Sequence, residues 1–91
     1  MLDYVVEFLG TFIFLSVIIA TGKPALIAMA LLLVILLGAG ISGAHFNPAV
    51  SLMFWANGAL SNANLAGYVV AQMLGGLGAV TVYNLLSKKG F

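Results

Sequence analysis

Ser42-Gly43-Ala44-His45-Phe46-Asn47-Pro48-Ala49-Val50 is the one stretch where polar and helix-breaking residues interrupt a hydrophobic run of membrane-spanning length. Asn47 suits a helix N-cap, and Pro48 suits the first turn, where its missing N–H would be unpaired anyway. The stretch therefore predicts a short helix over residues 48–57, stopped by Asn57-Gly58, with Gly58 suited to the left-handed position after the helix. Such a helix is about 15 Å long, roughly half the hydrocarbon thickness of a bilayer. It cannot span. It can dip in from one surface with its positive end at the membrane centre. The irregular backbone before it, Gly43 to Phe46, is tolerable at that depth only if it is buried in protein or lines a wet cavity. This geometry points to a pore.

The flanking sequence agrees with a membrane setting. At 64% hydrophobic and 5% charged residues, the 91-residue chain is too apolar for a soluble domain. Spans are expected at about residues 2–20, 25–41 and 64–86. Thr21-Gly22-Lys23-Pro24 reads as the tight turn between the first two. Three spans place the termini on opposite sides of the membrane. The expected fold class is thus all-α integral membrane: three transmembrane helices plus one half-membrane re-entrant helix, in a single unit. The N-terminal run does not read as a signal peptide, because Asp3 and Glu7 stand where a basic segment would be. The net charge of +1 offers nothing to nucleic acid. With no cysteine and one histidine, there is no thiol chemistry and no metal site.

Few side chains could carry chemistry. Glu7 is the only acidic residue well inside a span, and a carboxylate there needs partners. The N–H groups of the Gly43 to Phe46 loop would suit it; an interfacial placement and a proton-coupled role are the alternatives. Asn47 can cap with its oxygen and keep its NH₂ free to donate to a passing solute oxygen, or can simply be an N-cap. His45 is open between pore lining and loop bracing. Gln72 suits a bond to the loop backbone or a plain interhelical bond. Gly67, Ala71, Gly75 and Ala79 recur every four residues and form a small-residue packing face; Gly10 and Gly38 allow similar close approach. Trp55 and Tyr83 read as interfacial anchors. Ser16, Ser42 and Ser51 have no base at readable spacing, and no phosphate loop or acid pair is present. The expectation is a protein that is not an enzyme and needs no cofactor.

The Ser42 to Val50 stretch resembles the first conserved loop of the aquaporin and glycerol-channel family. Glu7-Phe8-Leu9-Gly10-Thr11-Phe12 resembles that family's first helix, and Tyr68-Val69-Val70-Ala71-Gln72-Met73-Leu74-Gly75-Gly76 its third. Three separated motifs agree in order over nearly the whole chain. The resemblance covers only the first half of the family pattern; the second three-helix repeat is absent. It implies half of an aquaporin-like fold, with Glu7 bracing the loop, His45 near the pore mouth, and Gly43, Ala44, His45 and Asn47 along the path. The family's narrow filter usually includes an arginine and an aromatic residue or histidine. Here Val50 follows Asn47-Pro48-Ala49, Ile27 stands at the second-helix position, and the chain has no arginine. An apolar filter that passes glycerol-like solutes is the expectation.

In the resembled fold two inverted repeats meet at the midplane. One repeat could restore that arrangement by pairing with an inverted second copy, or with a separate second-half chain. Lys23, Lys88 and Lys89 fall on one side, which favours a cytoplasmic C-terminus and opposes half of any mixed insertion. The leading expectation is a passive channel in the lipid bilayer for water or small neutral solutes, built from half-length chains. A small dual-topology secondary transporter coupled through Glu7 is the runner-up. A non-conducting assembly protein or fragment is the third reading.

Overall fold

The computed structural model describes residues 1–88. It contains four helices: α1 (Leu2–Thr21), α2 (Pro24–Ser42), α3 (Pro48–Ala56) and α4 (Asn62–Lys88). Three are long and apolar enough to cross a membrane, over Leu2–Thr21, Pro24–Ser42 and Asn62–Ser87. A helix covers each of the expected stretches, and the helix ends follow local chemistry. The last expected span starts two residues early because Ser61 caps it, its Oγ accepting from the N–H of Asn64 at 3.1 Å. Lys89, expected to help close that span, lies outside the described residues.

The α1–α2 turn is set by Gly22 and Pro24. Gly22 is left-handed (φ 61°), its N–H returns to the Ile18 carbonyl at 2.9 Å, and Pro24 opens α2 at its first position. At the other end of α2, Gly43 repeats the device with φ 86° and an N–H to the Ala39 carbonyl at 3.2 Å. Beyond Gly43 the chain is irregular, and two residues other than glycine, Ala44 (φ 56°) and Phe46 (φ 54°), have positive φ.

Helix α1 is central. It packs along both α2 and α4, and α3 packs on α4. The α1–α4 seam is close because of small residues. A Cβ at Gly75 would lie 2.8 Å from the Phe8 carbonyl oxygen and 3.1 Å from the Phe12 nitrogen, both main-chain atoms. Gly67 makes room for the Tyr4 ring, and Ala71 and Ala79 are buried on the same face. Gly10 and Gly38 differ from the sequence expectation in what they admit. A Cβ at Gly10 would collide with the ring of Phe46, and one at Gly38 would lie 3.0 Å from both Phe46 Cζ and Val6 Cγ1. The loop, as well as a neighbouring helix, occupies the space these two glycines leave.

Burial is inverted relative to a soluble domain. Leu36 and Leu37 are each 70% exposed, whereas Glu7 and Ser51 are wholly buried. An apolar skin around a polar interior is what a hydrocarbon solvent selects, since a polar group facing lipid would have no partner.

Candidate functional site

The site is the junction of α1, the Gly43–Phe46 loop, α3 and α4. Each backbone N–H after α2 needs an acceptor that no helix supplies. Ala44 donates to its neighbour Ser42 Oγ at 3.1 Å. His45 N–H donates to Glu7 Oε2 at 3.0 Å, and Phe46 N–H to Glu7 Oε1 at 2.8 Å. The same carboxylate receives Ser42 Oγ–H on Oε2 at 2.6 Å and Gln72 Nε2–H on Oε1 at 2.9 Å. Each oxygen thus accepts two bonds. Four donors converge on one group, a set that suits an acceptor-only carboxylate. No cationic side chain pairs with it among the described residues.

The network extends through Gln72 and Ser51. Gln72 spends its second N–H on Ser51 Oγ at 2.9 Å. The same Ser51 Oγ pairs with His45 Nδ1, 2.8 Å away, the direction of that bond following the imidazole tautomer. The His45 ring stacks on Phe54 at 4.8 Å and leans on Tyr68 at 4.9 Å. Tyr68 in turn donates its hydroxyl to the Ser42 carbonyl at 2.7 Å, one of the last carbonyls of α2. The loop is therefore tied to α1, α3 and α4 by side chains alone. Gln72 contacts Glu7 and Ser51 rather than loop backbone.

Asn47 stands at the exposed edge of this junction. Its backbone is extended, and its Oδ1 accepts from the N–H of Ala49 at 2.8 Å, capping α3. Among the described residues no protein group accepts from its NH₂. Beside it lies an open cavity of about 560 Å³, lined in part by Thr11, Phe14, Phe46, Asn47, Pro48 and Gln72. Thr11 Oγ1 and Gln72 Oε1 are buried and have no protein partner.

The other sequence candidates spread around this centre. Gly43 is exposed, while Ala44, His45 and Val50 are half-buried. Ile27 is half-buried in the first turn of α2, away from the residues that line the Asn47 cavity. Sequence reasoning passed over Ser42, Ser51 and Tyr68 as contributors, and treated Thr11 only as part of a motif. As nucleophiles Ser42 and Ser51 lack a base at readable spacing; the usable signal is that Ser42 ends α2 at the loop and Ser51 lies in the first turn of α3. Tyr68 offered none beyond a hydroxyl on an apolar span.

A family model described as Major intrinsic protein matches residues 1–90. The chain belongs to the major intrinsic protein family. It is 42% identical over 86 residues to Glycerol uptake facilitator protein-like 6 of Lactiplantibacillus plantarum, covering 85% of this chain and 40% of that protein. It is 44% identical over 68 residues to Aquaglyceroporin AqpS of Rhizobium meliloti, covering 75% and 27%. Aquaporin Z of Photorhabdus laumondii subsp. laumondii is 31% identical over 96 residues, covering 89% and 42%. No solved structure matches the chain. The chain thus spans less than half the length of these relatives, and the match is to the N-terminal half of the major intrinsic protein pattern. With its three membrane-crossing helices, it is an integral membrane protein.

Proposed function

We propose that this chain forms half of a passive channel for water and small neutral solutes of the glycerol class. In this reading α3 is a re-entrant half-helix and Asn47 stands at the midplane. The observation that carries the reading is Asn47 itself: its oxygen is fixed as the cap of α3, its NH₂ has no protein acceptor among the described residues, and the residue lines an open cavity. A fixed donor at the positive end of a helix favours the oxygen of a neutral solute and opposes cations. Nine residues, about 14 Å of helix, carry α3 halfway into a bilayer. Gly43, Ala44 and His45 border the path, and Ile27 and Val50 supply an apolar filter. Glu7 braces the loop, Gln72 and Ser51 extend the brace to α3, and the glycines at the seams hold the helices close. The names of the relatives, a glycerol facilitator and an aquaglyceroporin among them, support the solute class.

The residues lining the Asn47 cavity come from α1, α4, Phe46, Asn47 and Pro48, and in this reading a second repeat walls the rest. We assign that role to an inverted second copy of this chain, related by a two-fold axis in the membrane plane. The coupled-transport alternative is disfavoured by the setting of Glu7, which is buried and already accepts four bonds.

Proteoliposome swelling tests the channel. Osmotic water and glycerol permeability should exceed that of empty liposomes and carry no ionic current or proton movement; solute-dependent proton movement would sink the passive reading. Topology tests the inverted pair. The chain has no cysteine, so Ala63→Cys and Ser87→Cys, both at exposed positions, report sidedness without background. Asn62 is the less suitable probe site because its Oδ1 holds Trp55 Nε1 at 2.6 Å. Each probe should react from both faces of the membrane. Reaction from one face only, in conducting protein, would assign the second repeat to a different polypeptide segment.

A further inference from the structure

We infer that Phe46 is a positioning residue: its ring, seated on Gly10 and Gly38, sets where the Asn47 amide stands and closes the Asn47 cavity on its α1–α2 side. This rests on the channel reading for its functional consequence, though not for its geometry.

Phe46 is strained and over-anchored at once. It holds a left-handed backbone (φ 54°), uncommon for a bulky residue and costly unless the surroundings enforce it. Two contacts enforce it here. The N–H is fixed to Glu7 Oε1 at 2.8 Å, and the ring, only 2% exposed, lies in the seat left by Gly10 on α1 and Gly38 on α2. No other residue type at position 10 leaves that seat open, because any Cβ there meets the ring.

Asn47 has no comparable anchor. It is exposed, and its one side-chain bond runs to Ala49, within its own helix. Its carbonyl accepts from Ser51 N–H at 3.1 Å, so the place of its amide is inherited from its chain neighbours, α3 after it and Phe46 before it. The ring is also a partition. An apolar cleft of about 220 Å³ between α1 and α2 is lined by Val6, Ile13, Val34 and Leu37 among others. Phe46 is the residue that this cleft shares with the cavity at Asn47. Truncating the ring removes the wall between them and releases the loop together.

The experiment compares wild type with Phe46→Leu, Phe46→Ala, Gly10→Ala and the pair Gly10→Ala with Phe46→Val. All are checked for folding by helical content and a single species in mild detergent. Two readouts are taken: the glycerol-to-sorbitol permeability ratio in proteoliposomes, and the reaction rate of a small thiol reagent with a reporter at Ala49→Cys, next to the amide. Phe46→Ala should cut the ratio and shift the thiol rate by about tenfold, the weight of a strained backbone losing its anchor. Phe46→Leu, which still fills the seat, should stay near wild type. Gly10→Ala should shift both readouts, and Phe46→Val in that background should bring them back. A folded Phe46→Ala with wild-type ratio and thiol rate overturns the inference, as does a Gly10→Ala that the second substitution fails to rescue. A wild type that passes neither solute refutes the channel reading alone, and the thiol rates still decide on Phe46.

Discussion

Replacing Glu7 by glutamine keeps the shape of the side chain and changes one oxygen into a donor. Both oxygens of the native carboxylate accept two bonds, so the amide cannot satisfy the set in either orientation. With the NH₂ on the Ser42 side, the serine hydroxyl can turn to accept, but the His45 N–H is left facing another donor. With the NH₂ on the other side, Gln72 can rotate to offer its unpartnered Oε1, but Phe46 N–H is orphaned and Ser51 loses a donor. Either way one buried backbone N–H loses its partner, at about 1–3 kcal/mol. The remaining bonds fall from charge-assisted to neutral strength, roughly a halving of each. A combined loss of about 3–5 kcal/mol is expected, enough to loosen the loop without unfolding three spans. Thermal unfolding in mild detergent and water permeability in proteoliposomes measure the two consequences together. Glu7→Gln should lower the midpoint and reduce flux. A Glu7→Gln protein with wild-type midpoint and wild-type flux would refute the claim that the carboxylate holds the loop.

Asn47→Asp keeps an oxygen to cap α3 but places negative charge at its positive end, so cation current should appear while the fold is retained; planar-bilayer recording checks this, and an unchanged current would remove Asn47 from the path. Gly75→Ala would press a methyl group onto the main chain of α1 and should cost about 1–3 kcal/mol in detergent unfolding, whereas Gly40→Ala, with nothing within 4 Å of the new Cβ, should cost none. Under the proposed channel reading, with Ile27 and Val50 as an apolar filter, water and glycerol should be poorly discriminated, and strong water selectivity in paired swelling assays would show that another side chain narrows the pore.

The long helices were legible because apolar length is a one-dimensional signal, and the short helix α3 because Asn-Pro and Asn-Gly mark its two ends chemically. That Glu7 reaches the loop was also within reach, since the loop carries N–H groups without acceptors and the chain has only one carboxylate deep in a span. The use of Phe46 was not. Gly10 and Gly38 carry the same letter whether they admit a helix or a ring, and the direction of a side chain on irregular backbone follows from φ, which no periodicity encodes. Ser51 escaped for a similar reason: its role depends on α3 leaning against α4, a tertiary fact that its neighbours in sequence do not announce. Gln72 stands out in the sequence as a polar residue on an apolar helix, but its partners lie 65 and 21 residues away.

Helix α1 explains why so few polar residues suffice. Because it packs on both α2 and α4, one side chain at Glu7 can meet the end of α2, the loop and Gln72 on α4. The loop cannot shift without breaking bonds on both flanks. In hydrocarbon those bonds have no water to fall back on, so each broken one costs more than it would at a soluble surface. The α1–α4 seam that brings Gln72 to Glu7 is closest at Gly75, where a Cβ would lie 2.8 Å from the Phe8 carbonyl oxygen. A packing residue outside the polar network thus bears on the geometry of the loop that the network holds.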